Sequence, residues 1–184
     1  MTNLPAHFSA MARNNRWSNH VLLRACARLD GAAFTATRTS FFPSIAATLS
    51  HNHFVDLYYI DAVEEGGLGE SVYDDEIVFA HASDLAPLQQ AADERLIVFC
   101  DRLTDADMSR IVITDRGEKG KIPERIDNLL AHLFQHQIHH RGQAHAMLAG
   151  TSVKPPQLDE FFLDFERDPE IARLDLTDVS RRNA

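Results

Sequence analysis

The sequence predicts an all-α protein, a four-helix bundle forming one domain over residues 1–184, with a short extra helix near the C-terminus. Three observations carry that expectation. Four long segments repeat apolar side chains at helical spacing. The seven Pro and eight Gly are few and fall mainly between those segments. The β-like run Ile111-Val112-Ile113-Thr114 stands alone, and one strand cannot make a sheet core.

The first helix is expected from about Ala6 to Leu29, with Phe8, Met11, Ala12, Leu22, Leu23 and Cys26 among its apolar positions and Asp30-Gly31 as its stop. Ala32 to Ser40 reads as a connection. The second helix should start near Pro43, because the N–H that proline lacks would be unpaired in a first helical turn, and should end near Gly66-Gly67. Its apolar residues, from Ile45 and Leu49 to Ile60 and Val63, fall on more than one side, so other helices should surround it. Gly67 to Ala82 is acidic and irregular and reads as a long loop. Asp84 suits the N-cap of a third helix that carries Leu85, Leu88, Leu96, Ile97 and Phe99 and stops around Leu103. After the short strand and the turn Asp115-Arg116-Gly117, a fourth helix is expected from near Ile122-Pro123 to Gly150, with Pro155-Pro156 blocking continuation. Four helices with short connections imply an antiparallel-type bundle around one shared core. In the tail, Asp159 to Phe165 is the candidate for the extra helix.

Composition narrows the function. With 18 Lys plus Arg against 27 Asp plus Glu, the net charge of −9 argues against nucleic acid or an anionic membrane as the main partner. Hydrophobic residues at 45% and charged residues at 24% fit a soluble globular protein. The N-terminal residues lack the pattern of a secretory signal, and no apolar stretch approaches the roughly 20 residues of a membrane helix. Cys26 and Cys100 are far apart, without CxxC spacing, and read as reduced, packed thiols of a cytoplasmic protein.

Ten histidines in 184 residues are the anomaly. The fourth helix reads His132-Leu133-Phe134-Gln135-His136-Gln137-Ile138-His139-His140-Arg141-Gly142-Gln143, and histidines four apart on a helix can reach one metal ion. At about 100° per residue, Ile126, Leu129, Leu130, Leu133, Gln137, Ala144, Met147 and Leu148 form one inward stripe. His140 falls within it and His136 on its edge, whereas His132 and His139 point progressively outward. An imidazole on a buried face needs partners, and a shared cation is one way to supply them; hydrogen bonds at the core edge are the other. A catalytic or binding metal needs a third ligand. Helix two offers His51 and His53, both on apolar sides, and periodicity does not choose between them.

Three stretches, Arg13-Asn14-Asn15-Arg16-Trp17-Ser18-Asn19, Leu49-Ser50-His51-Asn52-His53-Phe54-Val55-Asp56 and His136-Gln137-Ile138-His139-His140-Arg141-Gly142-Gln143, occur in the order and places seen in the DinB family. The last of them, His-x-x-x-His-Arg-Gly-Gln, is the most specific. The resemblance runs from about Phe8 to Leu163 and implies a four-helix bundle with a three-histidine divalent-metal site, one ligand from the second helix and two from the fourth. Alignment on Leu49-Ser50-His51 and Val55-Asp56 makes His51 the implied second-helix ligand beside His136 and His140. His53 departs from relatives that carry an apolar residue there, and is read as packing or as support for the ligands. Family members include proteins similar to thiol-dependent transferases and to thiol-dependent isomerases of maleylpyruvate type; no stretch here singles out a thiol. Members often pair as homodimers, which the many-sided apolarity of helix two would allow.

A three-imidazole site with open positions activates a bound water or thiol. The expectation is therefore a metal-dependent transferase or hydrolase acting on a small-molecule substrate, with zinc, nickel or iron as cofactor, a low-molecular-weight thiol as a possible second one, and Gln143 accepting a hydrogen bond from a ligand histidine. The alternatives are a non-catalytic metal-binding stress-response protein and a metal-free bundle working through its surface. Asn15, Trp17 and Asn19 are candidates for the pocket mouth, with Trp17 more often a core anchor. The acidic run Asp74-Asp75-Glu76 lacks EF-hand spacing and reads as a solvated loop.

Overall fold

The computed structural model describes residues 3–176, in the order α1 (Leu4–Cys26), α2 (Gly31–Thr35), α3 (Ile45–Glu64), α4 (Ala82–Asp101), α5 (Asp105–Met108), β1 (Ile111–Asp115), β2 (Lys121–Arg125), α6 (Ile126–Ala149) and α7 (Pro169–Arg173). The four long helices, α1, α3, α4 and α6, form the bundle. α1 packs on α4 and α6, and α3 packs on the same two. No helix among the described residues is long and apolar enough to cross a membrane.

Helix direction follows from which residues meet. Arg13 early in α1 makes a two-pronged ion pair with Asp101 at the end of α4, at 2.7 and 2.8 Å, while Asn19 farther along α1 reaches Asp93 farther back along α4. These two helices are therefore antiparallel, and so are α3 and α6, where His51 meets His136 and Tyr59 meets His132. The other two neighbouring pairs are parallel. Phe8 stacks on Phe134 and Asn15 meets Arg141 across α1 and α6, while Gln89 meets Asp56 and Arg95 meets Glu64 across α4 and α3. The antiparallel-type bundle expected from the sequence is thus antiparallel in two of its neighbouring pairs and parallel in the other two. A parallel α3–α4 pair forces the chain to travel back along a helix, and residues 65–81, with a 3-10 turn at Gly69–Tyr73, do so.

Several boundaries differ from the sequence expectation for local reasons. α1 ends at Cys26 instead of Leu29, and Asp30 starts a helix rather than stopping one: its carboxylate accepts the Ala33 N–H at 2.7 Å and caps α2. Pro43 lies outside α3, which begins at Ile45 because the Ser44 hydroxyl accepts the Ala47 N–H at 3.0 Å. α4 starts at Ala82, which leaves Asp84 in its first turn. The fourth long helix starts at Ile126, not at Ile122-Pro123, because residues 121–125 form β2 and pair antiparallel with β1. Bonds from Arg116 N–H to Gly120 and from Ile126 N–H to Arg110 bracket this ladder. They place Pro123, opposite Ile113, at a non-hydrogen-bonded position where its missing N–H costs no bond. In the tail, 159–165 is not helical. The extra helix is α7, capped by Asp168, and its buried Ile171 joins Trp17, Val21, Phe161 and Leu176 in a small cluster.

The bundle core is two apolar clusters stacked along its axis. One gathers Phe8, Val55, Ile60, Leu96, Leu130 and Leu133; the other gathers Leu22, Ile45, Leu49, Leu85, Ala144 and Leu148. Between them lies a polar layer to which all four long helices contribute: Asn15 and Asn19, Asp56, Gln89 and Asp93, Gln137 and Arg141, all buried. Buried polar groups are tolerated where hydrogen bonds satisfy them. Here Gln137 donates to Asp56 Oδ1 at 2.8 Å, Gln89 to Asp56 Oδ2 at 2.7 Å, and Asn19 to Asp93 Oδ1 at 2.9 Å, while Arg141 donates to the amide oxygens of Asn15 and Asn19. Such bonds form at one axial register only, so the layer fixes how far the helices slide past one another.

Candidate metal centre

At the α3–α6 edge of the polar layer, three imidazoles converge. His51 lies about two turns into α3, and His136 and His140 are one turn apart on α6. One ring nitrogen from each lies within 4.8 Å of the other two, and this is the one group of His, Cys, Asp or Glu side chains gathered this closely among the described residues. His51 Nε2 and His136 Nε2 are 3.1 Å apart. Nitrogens bound at about 2.1 Å to one tetrahedral ion lie about 3.4 Å from each other, so the pair is spaced for a shared ion.

The surroundings suit ligands as well as the spacing does. His140 Nδ1 lies 2.8 Å from Gln143 Oε1, which can only accept, so Nδ1 carries the proton and Nε2 keeps its lone pair. Gln143 in turn donates to His139 Nε2 at 3.0 Å. His136 Nδ1 is buried with no hydrogen-bond partner among the described residues. Burial, with His140 nearby, lowers His51 to about 4, and burial among the other histidines lowers His136 to about 3. His140 is also lowered, chiefly by burial. All three rings are neutral at pH 7, the form in which imidazole binds metal. Three neutral nitrogens match zinc, nickel, iron or copper, whereas magnesium and calcium prefer oxygen. The residues present therefore fit a divalent transition metal.

Two features escaped the sequence. Phe41 and Phe42, just ahead of α3, form an aromatic shelf over the site: the Phe42 ring centre is 4.3 Å from His51 and 5.3 Å from His140, and Phe41, largely exposed, is 6.1 Å from His140. Their place before the Pro43-Ser44 helix start was the only available signal, and it does not say which way the rings turn. Gln137, between the two α6 histidines, donates to the Asn52 carbonyl at 2.9 Å and to Asp56, clamping α6 onto α3 beside the site.

The remaining histidines are elsewhere. His132 and His139 are exposed, and His53 is buried against Phe54 and Phe79, away from the triad. His145 donates to the Pro156 carbonyl. Trp17 is fully buried against Phe161, a core anchor and not a pocket residue, and Asn15 and Asn19 face the polar layer instead of the mouth of this site. Asp74, Asp75 and Glu76 are exposed.

Comparison with known proteins agrees with the architecture. The family model described as the DinB family matches residues 1–171. No curated protein matches. Among solved structures, a DinB-like protein from Bacillus cereus shares the fold with a TM-score of 0.61 at 18% identity, over 78% of this chain and 89% of that one.

Proposed function

The chain belongs to the DinB family, and from that premise we propose that it is a divalent-metal-dependent enzyme in which His51, His136 and His140 hold the ion and a small molecule reacts with an activated water or thiol. One observation carries this reading: three neutral imidazole nitrogens from two antiparallel helices lie within 4.8 Å of one another. Zinc, nickel and iron are the metals proposed, and a low-molecular-weight thiol is the co-substrate class. A bound ion of this kind supplies Lewis acidity and lowers the proton affinity of a coordinated water or thiol.

The chain's own residues do the rest. Gln143 keeps the His140 proton on Nδ1. Gln137 and Asp56 hold α6 against α3, so the two ligand-bearing helices keep their spacing. The Phe42 ring covers His51 and His140 and keeps water from one side of the site, while the exposed Phe41 offers an apolar surface to a substrate. The net charge of −9 turns away polyanions.

The test uses protein purified without a histidine tag. Elemental analysis should find about one transition metal per chain, and His51→Ala should lose it while keeping its helical spectrum. In the cobalt-substituted protein, an added thiol should shift the visible bands. A spectrum indifferent to thiols, with no exchangeable water at the metal, favours a non-catalytic metal-binding protein instead.

A further inference from the structure

The polar layer has a second edge, between α1 and α4, and it opens into a cavity of about 410 Å3 that is separate from His51, His136 and His140. Leu23, Ala27, Ala86, Pro87 and Leu174 give it apolar walls. Asp93, only 2% exposed, lines it beside Asn19 and Gln89. Among the described residues Asp93 Oδ1 accepts from Asn15, Asn19 and Gln89, and Oδ2 accepts from none; Oδ2 keeps some exposure, and the cavity that Asp93 lines is where it lies open.

Charge points the same way. The charged groups around Asp93 are Asp56 from α3, Arg141 from α6 and Arg16 from α1. Arg16 is paired with Glu94 at 3.2 Å. At the rim, Arg24 is paired with Glu170, and His20, next to the same carboxylate at 3.5 Å, is lowered chiefly by burial and is neutral at pH 7. Two buried carboxyls thus share one buried guanidinium, and the carboxyl left over opens onto an apolar cavity. Burial, with Asp93 beside it, raises Asp56 well above its ordinary value, and burial raises Asp93 to about 7, so above neutral pH Asp93 is the ionised carboxyl of the pair and the one a cation in the cavity would meet.

We infer that this cavity is a binding site for a small organic ammonium, its N–H group donating to Asp93 Oδ2 and its alkyl or aryl body lying against Leu23, Ala27, Ala86 and Pro87. The site is independent of the metal reading and stands or falls without it.

The test is calorimetric titration at pH 8 with n-butylammonium and benzylammonium, beside benzyl alcohol and benzoate as neutral and anionic isosteres. The expected result is one ammonium bound per chain, at least tenfold tighter than either isostere, with backbone amide shifts in a nitrogen-15 spectrum centred on Leu23, Ala27 and Ala86. Asp93→Asn should weaken binding at least tenfold. Ala86→Phe, at a half-buried position, should do so by filling the cavity without touching the carboxylate. His51→Ala should bind as the parent does, which separates this site from an amine ligating a metal at the histidines. Equal or better binding of the isosteres, no binding of either ammonium at millimolar concentration, undiminished binding by Asp93→Asn, or loss in His51→Ala would each overturn the inference.

Discussion

Gln143 shows how much one half-exposed side chain decides. Its carbonyl oxygen fixes the His140 tautomer, and its amide bonds the ring of the neighbouring His139. Gln143→Leu keeps the bulk and removes the acceptor; metal affinity should fall about 10- to 100-fold, read by competition with a chromophoric chelator, while Gln143→Glu retains it. Asp93 offers a test of opposite character. In the unfolded chain its carboxyl titrates at the ordinary 3.8, whereas burial raises it to about 7 in the fold. Between those limits only the folded state holds the proton, so this group's stabilisation is complete below about pH 4 and is lost as pH rises through 7. At about 1.4 kcal/mol per tenfold in proton affinity, the parent should lose about 3 kcal/mol from this source between pH 5 and pH 8. Urea denaturation of Asp93→Asn at both values should show that loss removed. The place of Gln143 beside His140 follows from its helix spacing, whereas nothing in the sequence points to Asp93. The helical period separated His136 and His140 from His132 and His139 because α6 has one clear inward stripe. It failed to separate His51 from His53 because α3 is buried almost all round. The partners of Asp93 come from residues 37 to 78 positions distant along the chain or one turn away, and no local pattern records them.

Elements were read best where a single chain segment carries its own signal. The four long helices announce themselves by apolar spacing, but their ends do not: Ser44 rather than Pro43 starts α3, and Asp168 caps a short helix expected at 159–165. β2 was hidden because Pro123 resembles a helix start; only the partner strand reveals that its missing N–H points away from the ladder. The same limit hid the parallel α3–α4 pair, since direction depends on where residues 65–81 lead the chain. The β1–β2 hairpin is held to α3 from outside its own sequence: Tyr58 Oη donates to the Asp115 carbonyl, and Arg116 bonds both Tyr59 Oη and Glu124. Its turn depends on Gly117, at φ +59°, where an added Cβ would meet the Glu70 carboxylate. Gly117→Ala should cost about 1–2 kcal/mol from the left-handed backbone alone, and chemical denaturation should show it. α6, anchored independently through Gln137, should keep its metal stoichiometry in that variant.

At the scale of the molecule, metal, protons and stability are linked through the three imidazoles. In the unfolded chain each titrates near 6.5, whereas in the fold His51 is lowered to about 4 and His136 to about 3, with His140 lowered as well. The unfolded state therefore binds more protons below pH 6.5. The histidine contribution is complete above that pH and is lost as pH falls toward 3–4. The same lowering governs the metal. Protons compete for the folded ligands only near their lowered values, so the loss of affinity with falling pH should begin below 6.5, where three free imidazoles would already be losing theirs. At a free metal concentration about 100 times Kd, ligation adds about 2.7 kcal/mol. At roughly 2–4 °C per kcal/mol for a chain of this length, that raises Tm by about 5–10 °C. Thermal melts with and without zinc at pH 7 and 8 should show a shift of that size, absent in His51→Ala, and the shift should persist at pH 6. An affinity that falls steeply from pH 6.5 downward would mean that the rings titrate as they do in water, and that the helices do not hold them together in the buried cluster from which the proposed chemistry follows.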